Sequence, residues 1–293
     1  MRQLKDILNM ANNTIDSHQH FWDLSINKYP WLNNNNYTLY RNYLPKDLYS
    51  IIKTHKVCAT VLVQASPTIS ETQYLLELSK HNKKIKAVVG WVDLSDHNSK
   101  KILKYFAKNS VFKGVRPMIQ DINDHNWINN QTNADIIQLL SDLDFTMDLL
   151  INKKHIKNII KFIEKWPNIP MVINHFAKPD LDKEDLKIWI KGISNLSNYP
   201  NVYAKMSGLL TQSNTIDFIK IERYFDHYFY YFSPERIMWG SDWPVLMSNG
   251  DYKTWLSTCV KYVKKNYIDS FDDVFFNVAN NFYSMGLASY SQK

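Results

Sequence analysis

The feature that most constrains the fold of this 293-residue chain is a regular alternation of short apolar runs with longer amphipathic stretches. Mostly apolar runs of this length are typical of buried parallel strands. Residues that are apolar at spacings of three and four predict helices between them. The predicted strands are 14–19, 58–64, 86–92, 112–116, 145–150, 170–174, 201–206 and 236–240, and the predicted helices include 71–81, 99–109, 133–143, 153–165, 183–196 and 214–232.

Eight strands that each precede a helix predict an α/β protein with a (β/α)8 TIM-barrel fold. A doubly wound open sheet fits less well, because no glycine-rich phosphate turn follows a strand and the chain has only seven glycines. We expect residues 1–13 to form an extension and residues 14–293 a single domain, with one or two C-terminal helices at 271–287. The loop at 21–45 is long enough to cover the barrel mouth.

Composition limits the partners and the location of the protein. Hydrophobic residues make up 45% of the chain and charged residues 22%, which is typical of a globular domain. We expect a cytoplasmic protein without a membrane partner, because no run of about 18 apolar residues and no apolar signal core is present. The net charge of +7 comes from lysines scattered along the chain, so we expect no nucleic-acid surface. Cys58 and Cys259 are expected to be buried free thiols.

Polar and ionisable residues follow the apolar runs where the predicted strands end. His18 and His20 close the first strand, and because residues i and i+2 of a strand point the same way, both imidazoles face one side. The carboxyl ends of barrel strands meet at one rim, where TIM-barrel enzymes place their active sites. The other strand-end residues are Gln64, Arg116, Asn174, His175, Lys205, Ser207, Ser241 and Asp242.

Several sequence blocks extend this pattern over the whole chain. They are residues 15–23 (IDSHQHFWD), 29–32 (YPWL), 112–116 (FKGVR), 174–179 (NHFAKP) and 239–244 (WGSDWP). In these blocks the chain resembles the amidohydrolase superfamily, in its amidohydrolase-2 or sugar-lactonase-like branch. Members of that branch hydrolyse lactones of sugar acids such as fuconolactone and rhamnonolactone. The resemblance therefore implies a barrel enzyme that acts on a carboxylic ester bond of a small molecule.

The resemblance also implies a metal site and its limits. In many relatives the residues that match His18, His20, His175 and Asp242 hold one or two divalent metals. Arg116 stands where two-metal relatives carry a bridging carboxylated lysine, and the fifth strand ends without a histidine. A two-metal centre is therefore disfavoured, and either one Zn²⁺ or metal-free catalysis fits these four residues. No nucleotide cofactor is expected.

Roles follow from the chemistry of lactone opening. Asp242 is the predicted general base, and the three histidines either bind the metal or donate hydrogen bonds to the oxyanion. Arg116 is expected to position the substrate, or to form a salt bridge across the rim. Further candidates for substrate binding are Lys205, Gln64, Glu71, Trp22, Trp31 and Trp243. Glu71 also has a plain structural explanation, since a glutamate in a first helical turn favours the helix dipole. Trp91 and Trp127 are expected to pack.

Lactone hydrolysis is the first of four hypotheses for the function. A decarboxylase of a small unsaturated or aromatic acid uses similar histidines and an aspartate in a neighbouring branch of the superfamily. A metal-dependent nuclease is weakly favoured by the positive charge but disfavoured by the missing carboxylate at the fourth strand. A barrel that binds a small acid without turnover is the non-enzymatic alternative.

Overall fold

Eight strands pair in parallel, in chain order, to form one sheet that curves into a barrel. The computed structural model describes residues 13–181, 186–212 and 218–288. The predicted α/β barrel is confirmed, and each strand lies within two residues of its predicted bounds. The strands are β1 Thr14–Gln19, β2 Val57–Val63, β3 Ile85–Gly90, β4 Phe112–Val115, β5 Thr146–Leu149, β6 Met171–Ile173, β7 Val202–Met206 and β8 Ile237–Trp239.

Helices connect the strands and cover the outside of the barrel. Each of the predicted helices is present where the chain is described, and the first residues of those predicted at 183–196 and 214–232 lie outside the described residues. The helices are α1 Pro45–Ile52, α2 Ile69–His81, α3 Ser99–Phe106, α4 Trp127–Asn130, α5 Ala134–Asp142, α6 Ile156–Lys165, α7 Lys187–Ser197, α8 Phe218–Phe232, α9 Tyr252–Asn266 and α10 Val278–Phe282. None of those described has the length and apolarity that a membrane span requires.

The predicted C-terminal helices are present in the described tail, which contributes to the barrel core. A π-helical turn at Asp273–Asn277 leads into α10 and contacts both β1 and β8. Inward residues of the strands, among them Ile15, Val61 and Val89, form one buried cluster with Phe282 and Tyr283 of this tail. Cys259 is buried as expected, whereas Cys58 is only partly buried, and both are free thiols.

The barrel closes through the chain that follows β8. The Trp243 carbonyl accepts a hydrogen bond from His20 N at 2.7 Å, and the Asp242 N–H donates to the His18 carbonyl at 2.8 Å. The buried Asp16 carboxylate braces this join, because it accepts from Ser241 N at 2.8 Å, His18 N at 3.2 Å and the Tyr252 hydroxyl at 3.0 Å. The first strand and the segment after the last strand therefore lie side by side.

Gly114 gives a test of how closely the strands that lead to the rim are packed. A Cβ atom there would lie 2.3 Å from Thr146 Oγ1 and 2.4 Å from the Thr146 carbonyl oxygen, which belongs to backbone. We expect Gly114→Ala to lower the free energy of unfolding by about 1–3 kcal/mol, measured by urea denaturation.

Gly192 in α7 is the matched control for this substitution. Its added Cβ would meet only Ile156 side-chain atoms, the nearest being Cδ1 at 2.4 Å, and a flexible side chain can move aside. The helix propensity of alanine also offsets part of the cost, by about 1 kcal/mol. Equal losses in Gly114→Ala and Gly192→Ala would contradict the packing argument.

Candidate active site

The four residues predicted to carry the chemistry lie together at the carboxyl end of the barrel. Asp242 Oδ1 is 3.4 Å from His20 Nε2, 3.7 Å from His175 Nε2 and 3.8 Å from His18 Nε2. All four are buried, with at most 4% of each residue exposed. One carboxylate oxygen thus faces three imidazole nitrogens in a site that is largely shielded from solvent.

Hydrogen bonds behind the two β1 histidines assign their protons. His20 Nδ1 lies 2.7 Å from the Val63 carbonyl, which can only accept, so Nδ1 carries the proton and Nε2 presents a lone pair. His18 Nδ1 lies 3.2 Å from Lys205 Nζ, and an ammonium can only donate. The proton of neutral His18 is then on Nε2, which lies 3.2 Å from His20 Nε2. Lys205 Nζ therefore donates to His18 Nδ1, and His18 Nε2 donates to His20 Nε2.

Burial keeps the histidines neutral. It lowers the pKa of His175 to about 3, that of His20 below its ordinary value and that of His18 well below it, with the Lys205 cation adding to the effect on His18. Burial raises the pKa of Asp242, but His175, His20 and Lys178 together outweigh it, so the pKa lies below the ordinary value. At neutral pH the site therefore holds an ionised carboxylate among uncharged imidazoles.

Three of the predicted ligands form a group that can hold a divalent metal. One donor atom each from His18, His20 and Asp242 lies within 4.8 Å of the others, and nitrogen and oxygen donors suit Zn²⁺. His20 Nε2 carries no proton and lies 3.4 Å from the Asp242 carboxylate, so these two groups can bind a cation as they stand, whereas His18 Nε2 must first give up its proton. His175 was predicted as a fourth ligand and lies outside this group, although it adjoins Asp242.

Two glycines make room for the histidine rings. A Cβ on Gly208 would lie 2.4 Å from His175 Nδ1, and one on Gly240 would lie 2.8 Å from His18 Cβ. His175 and Asp242 both have left-handed backbone, with φ of 53° and 61°. Such a conformation costs a non-glycine residue about 1–3 kcal/mol and persists only where neighbouring contacts enforce it. The surroundings of both residues therefore fix where their side chains point.

A cavity of about 110 Å³ is lined by His20, His175 and Asp242 and is the candidate catalytic cavity. Of the predicted substrate-binding residues, Arg116 and Trp31 line it. The guanidinium of Arg116 donates to the Gln64 carbonyl, and the Gln64 amide donates back to the Arg116 carbonyl at 2.8 Å. Arg116 Nε is buried and has no hydrogen-bond partner among the described residues. Arg116 is therefore held in place with a donor unused, while Gln64 acts as its support.

The other predicted binding residues lie outside the described lining of this cavity. Glu71 accepts hydrogen bonds from Ala65 N at 3.0 Å and Ser66 N at 2.6 Å, so it holds the loop after β2, and burial raises its pKa to about 8. Trp22 and Trp243 are at most 1% exposed and pack in the core. Trp22 meets Trp31 edge to face at 5.4 Å and so supports the one tryptophan that reaches the cavity.

Lys205 also lies behind the site, in a buried ion pair. Its Nζ is 2.6 Å from Asp148 Oδ2, and Asp148 also accepts from the Tyr283 hydroxyl at 2.8 Å and Asn174 Nδ2 at 3.1 Å. A cation that donates to His18 from inside the barrel positions that histidine. Asp148 was not among the predicted site residues, although an aspartate in the middle of an apolar strand was a usable signal.

Sequence reasoning also missed Lys178, which lines the catalytic cavity. It ends a left-handed turn that starts at His175, and burial lowers its pKa while Asp242 raises it. Lys178 lies in the same sequence block as His175, so the block itself was the signal. The cavity thus holds two cations, Arg116 and Lys178, beside the carboxylate of Asp242.

Replacement of Lys205 tests the buried ion pair. Lys205→Met leaves the Asp148 charge buried without its cation, and we expect a loss of about 3–5 kcal/mol in the free energy of unfolding. The double variant Lys205→Met/Asp148→Leu removes both charges, so it should recover most of that stability in urea denaturation. A double variant no more stable than Lys205→Met would argue against a strong pair.

Comparisons with known proteins agree with this geometry. The amidohydrolase family model matches residues 15–261. The L-fucono-1,5-lactonase of Burkholderia ambifaria is 34% identical over 84% of this chain and 86% of its own length, and that of Burkholderia multivorans is 31% identical over 81% and 84%. A crystal structure of a Burkholderia multivorans amidohydrolase with bound zinc superposes with a TM-score of 0.86 at 28% identity, over 92% of this chain and 99% of that one. The chain therefore belongs to the amidohydrolase family.

Proposed function

We propose that this protein hydrolyses the lactone ring of a small sugar acid, with Asp242 as the general base. The observation that carries the proposal is an ionised, buried carboxylate that faces three neutral imidazoles in a cavity with two cations. The relatives named L-fucono-1,5-lactonase support the substrate class. We also propose that residues 14–293 form one enzyme domain and that the protein is cytoplasmic.

Asp242 can serve both halves of the reaction. Its carboxylate takes a proton from a water molecule, and the resulting hydroxide adds to the lactone carbonyl. When the tetrahedral intermediate collapses, the bond from the acyl carbon to the ring oxygen breaks, and Asp242 returns the proton to the leaving alkoxide. The sum is lactone plus water to an open hydroxy acid, with Asp242 regenerated.

The negative charge that develops on the carbonyl oxygen needs donors nearby. Arg116 has an unused buried N–H, and the Lys178 ammonium lines the same cavity. Fixed cations in a water-poor site stabilise a developing oxyanion more than they would in water. A divalent ion held by His18, His20 and Asp242 would supply Lewis acidity at the carbonyl. The residues that position the substrate are the same with or without that ion.

Asp242→Asn tests the role of the base. An amide of the same shape cannot take the proton, so we expect kcat to fall by about 10²–10⁴-fold with little change in KM. Rates are measured by pH indicator on L-fucono-1,5-lactone, L-rhamnono-1,4-lactone and D-glucono-1,5-lactone, with and without Zn²⁺. Asp142→Asn, at an exposed carboxylate of α5, is the matched control and should keep the rate. The absence of turnover across the panel, or release of CO₂ from an unsaturated acid instead, would overturn the proposal.

The pH profile provides a second test. Asp242 must be ionised and the histidines neutral, and because the pKa of each is lowered, both conditions hold above those lowered values. Activity is lost only as the pH falls through them, so the acidic limb of kcat/KM should lie below pH 6.5, the ordinary pKa of histidine, after subtraction of spontaneous hydrolysis. An acidic limb centred near pH 6.5 would instead indicate a histidine that titrates at its ordinary pKa.

A further inference from the structure

A second cavity of about 450 Å³ adjoins the catalytic one, and Trp31 and Met118 line both. The catalytic cavity, at about 110 Å³, is small beside the ~300–1000 Å³ of ordinary ligand pockets. A cavity of this size accommodates the reacting ring and little else. The larger space next to it is open to the part of a substrate that does not react.

The walls of the second cavity combine flat aromatic faces with hydrogen-bond acceptors. Trp31, Trp91 and Trp127 line it together with Asp93 and Asp121. Trp91 and Trp127 were expected only to pack, and the structure places them on the wall as well. Its described lining contains no lysine or arginine, so a second carboxylate or a phosphate would meet only negative charge there.

The aromatic walls are held in place. Trp31 Nε1 donates to the Ala65 carbonyl at 2.7 Å. The backbone N–H of Trp91 donates to Thr72 Oγ1 at 2.8 Å, and that hydroxyl lies 3.1 Å from the Trp91 carbonyl. The indole N–H groups of Trp91 and Trp127 have no hydrogen-bond acceptor within the described part of the chain, and both side chains line the cavity.

We propose that this cavity is a subsite for a second sugar ring, linked by a glycosidic bond to the lactone that reacts at Asp242. A pyranose presents C–H faces that pack on tryptophan and hydroxyl edges that donate to carboxylates and accept from indole N–H. A plain apolar group would offer no donor to Asp93 Oδ2 and Asp121 Oδ1, the carboxylate oxygens that accept from no described residue, and an anionic group would be repelled. This inference rests on the proposed function and deepens it, since it makes the substrate a disaccharide aldonolactone.

The test compares D-glucono-1,5-lactone with cellobiono-1,5-lactone and maltobiono-1,5-lactone. We expect at least one disaccharide lactone to have a kcat/KM about tenfold higher than the monosaccharide, mainly through KM. Trp91→Ala and Trp127→Ala should each lower the ratio of disaccharide to monosaccharide kcat/KM by about tenfold, the change that about 1.4 kcal/mol of lost contact gives. Trp91→Phe and Trp127→Phe keep a ring and should lose less. Tyr230→Ala, which removes an aromatic ring that is 78% exposed, is the control and should leave the ratio unchanged.

Calorimetric binding of cellobionate separates this inference from the proposed function. Binding to the wild-type protein that weakens in Trp91→Ala supports the subsite even where no lactone is turned over. Turnover of the monosaccharide lactone with no gain for either disaccharide, and with a ratio unaffected by Trp91→Ala and Trp127→Ala, would overturn the subsite and leave the lactonase proposal standing. A higher kcat/KM for the aryl lactone dihydrocoumarin that depends on the same tryptophans would overturn the sugar and indicate an apolar ligand.

Discussion

The buried carboxylate of Asp16 holds together the join on which the site depends. Its oxygens accept hydrogen bonds from Ser241, His18 and Tyr252, so β1, the turn after β8 and α9 meet at one side chain. Burial raises the pKa of Asp16 to about 6, while the hydrogen bonds that it accepts lower it. His18 and Asp242 come from the two segments that this carboxylate links. The same contacts that close the barrel therefore bring Asp242 to the histidines.

A second buried carboxylate acts from inside the barrel. Burial of Lys205 and Asp148 carries an unfavourable desolvation free energy. The attraction between the two charges offsets it, together with the hydrogen bonds that Tyr283 and Asn174 donate to the carboxylate. The cation then donates to His18 and settles which ring nitrogen carries the proton. Lys205 and Asp148 lie outside the described lining of the cavity, and they thus determine which ring nitrogen of His18 can donate a hydrogen bond.

Much of this arrangement was predictable, because the features involved are local in the sequence. Buried parallel strands need short apolar runs, so all eight strands were found, and polar residues at their ends marked the rim. Amidohydrolase-like blocks identified His18, His20, His175 and Asp242 as neighbours. Three helices, α1, α4 and α9, were not among those predicted.

The rest of the site depends on loop conformations, which no local sequence pattern predicts. Whether Glu71 faces the cavity or its own loop is decided by the turn after β2, and its carboxylate binds backbone N–H groups there. Lys178 reaches the cavity only because four successive residues from His175 have left-handed φ. The second cavity arises where loops from three strand ends meet at Trp31, Trp91 and Trp127. Side chains at strand ends are therefore easier to place than those on the loops beyond them.

The hydrogen bond from Asp242 N–H to the His18 carbonyl also has a consequence for synthesis on the ribosome. His18 and His20 emerge early, but their partner in the barrel wall is more than two hundred residues later in the chain. Tyr283, which completes the shell of Asp148, emerges later still. A nascent chain that ends before β8 contains the histidine pair but not Asp242. Because domains generally fold as units during synthesis, the candidate active site is complete only after the segment that follows β8 has been synthesised.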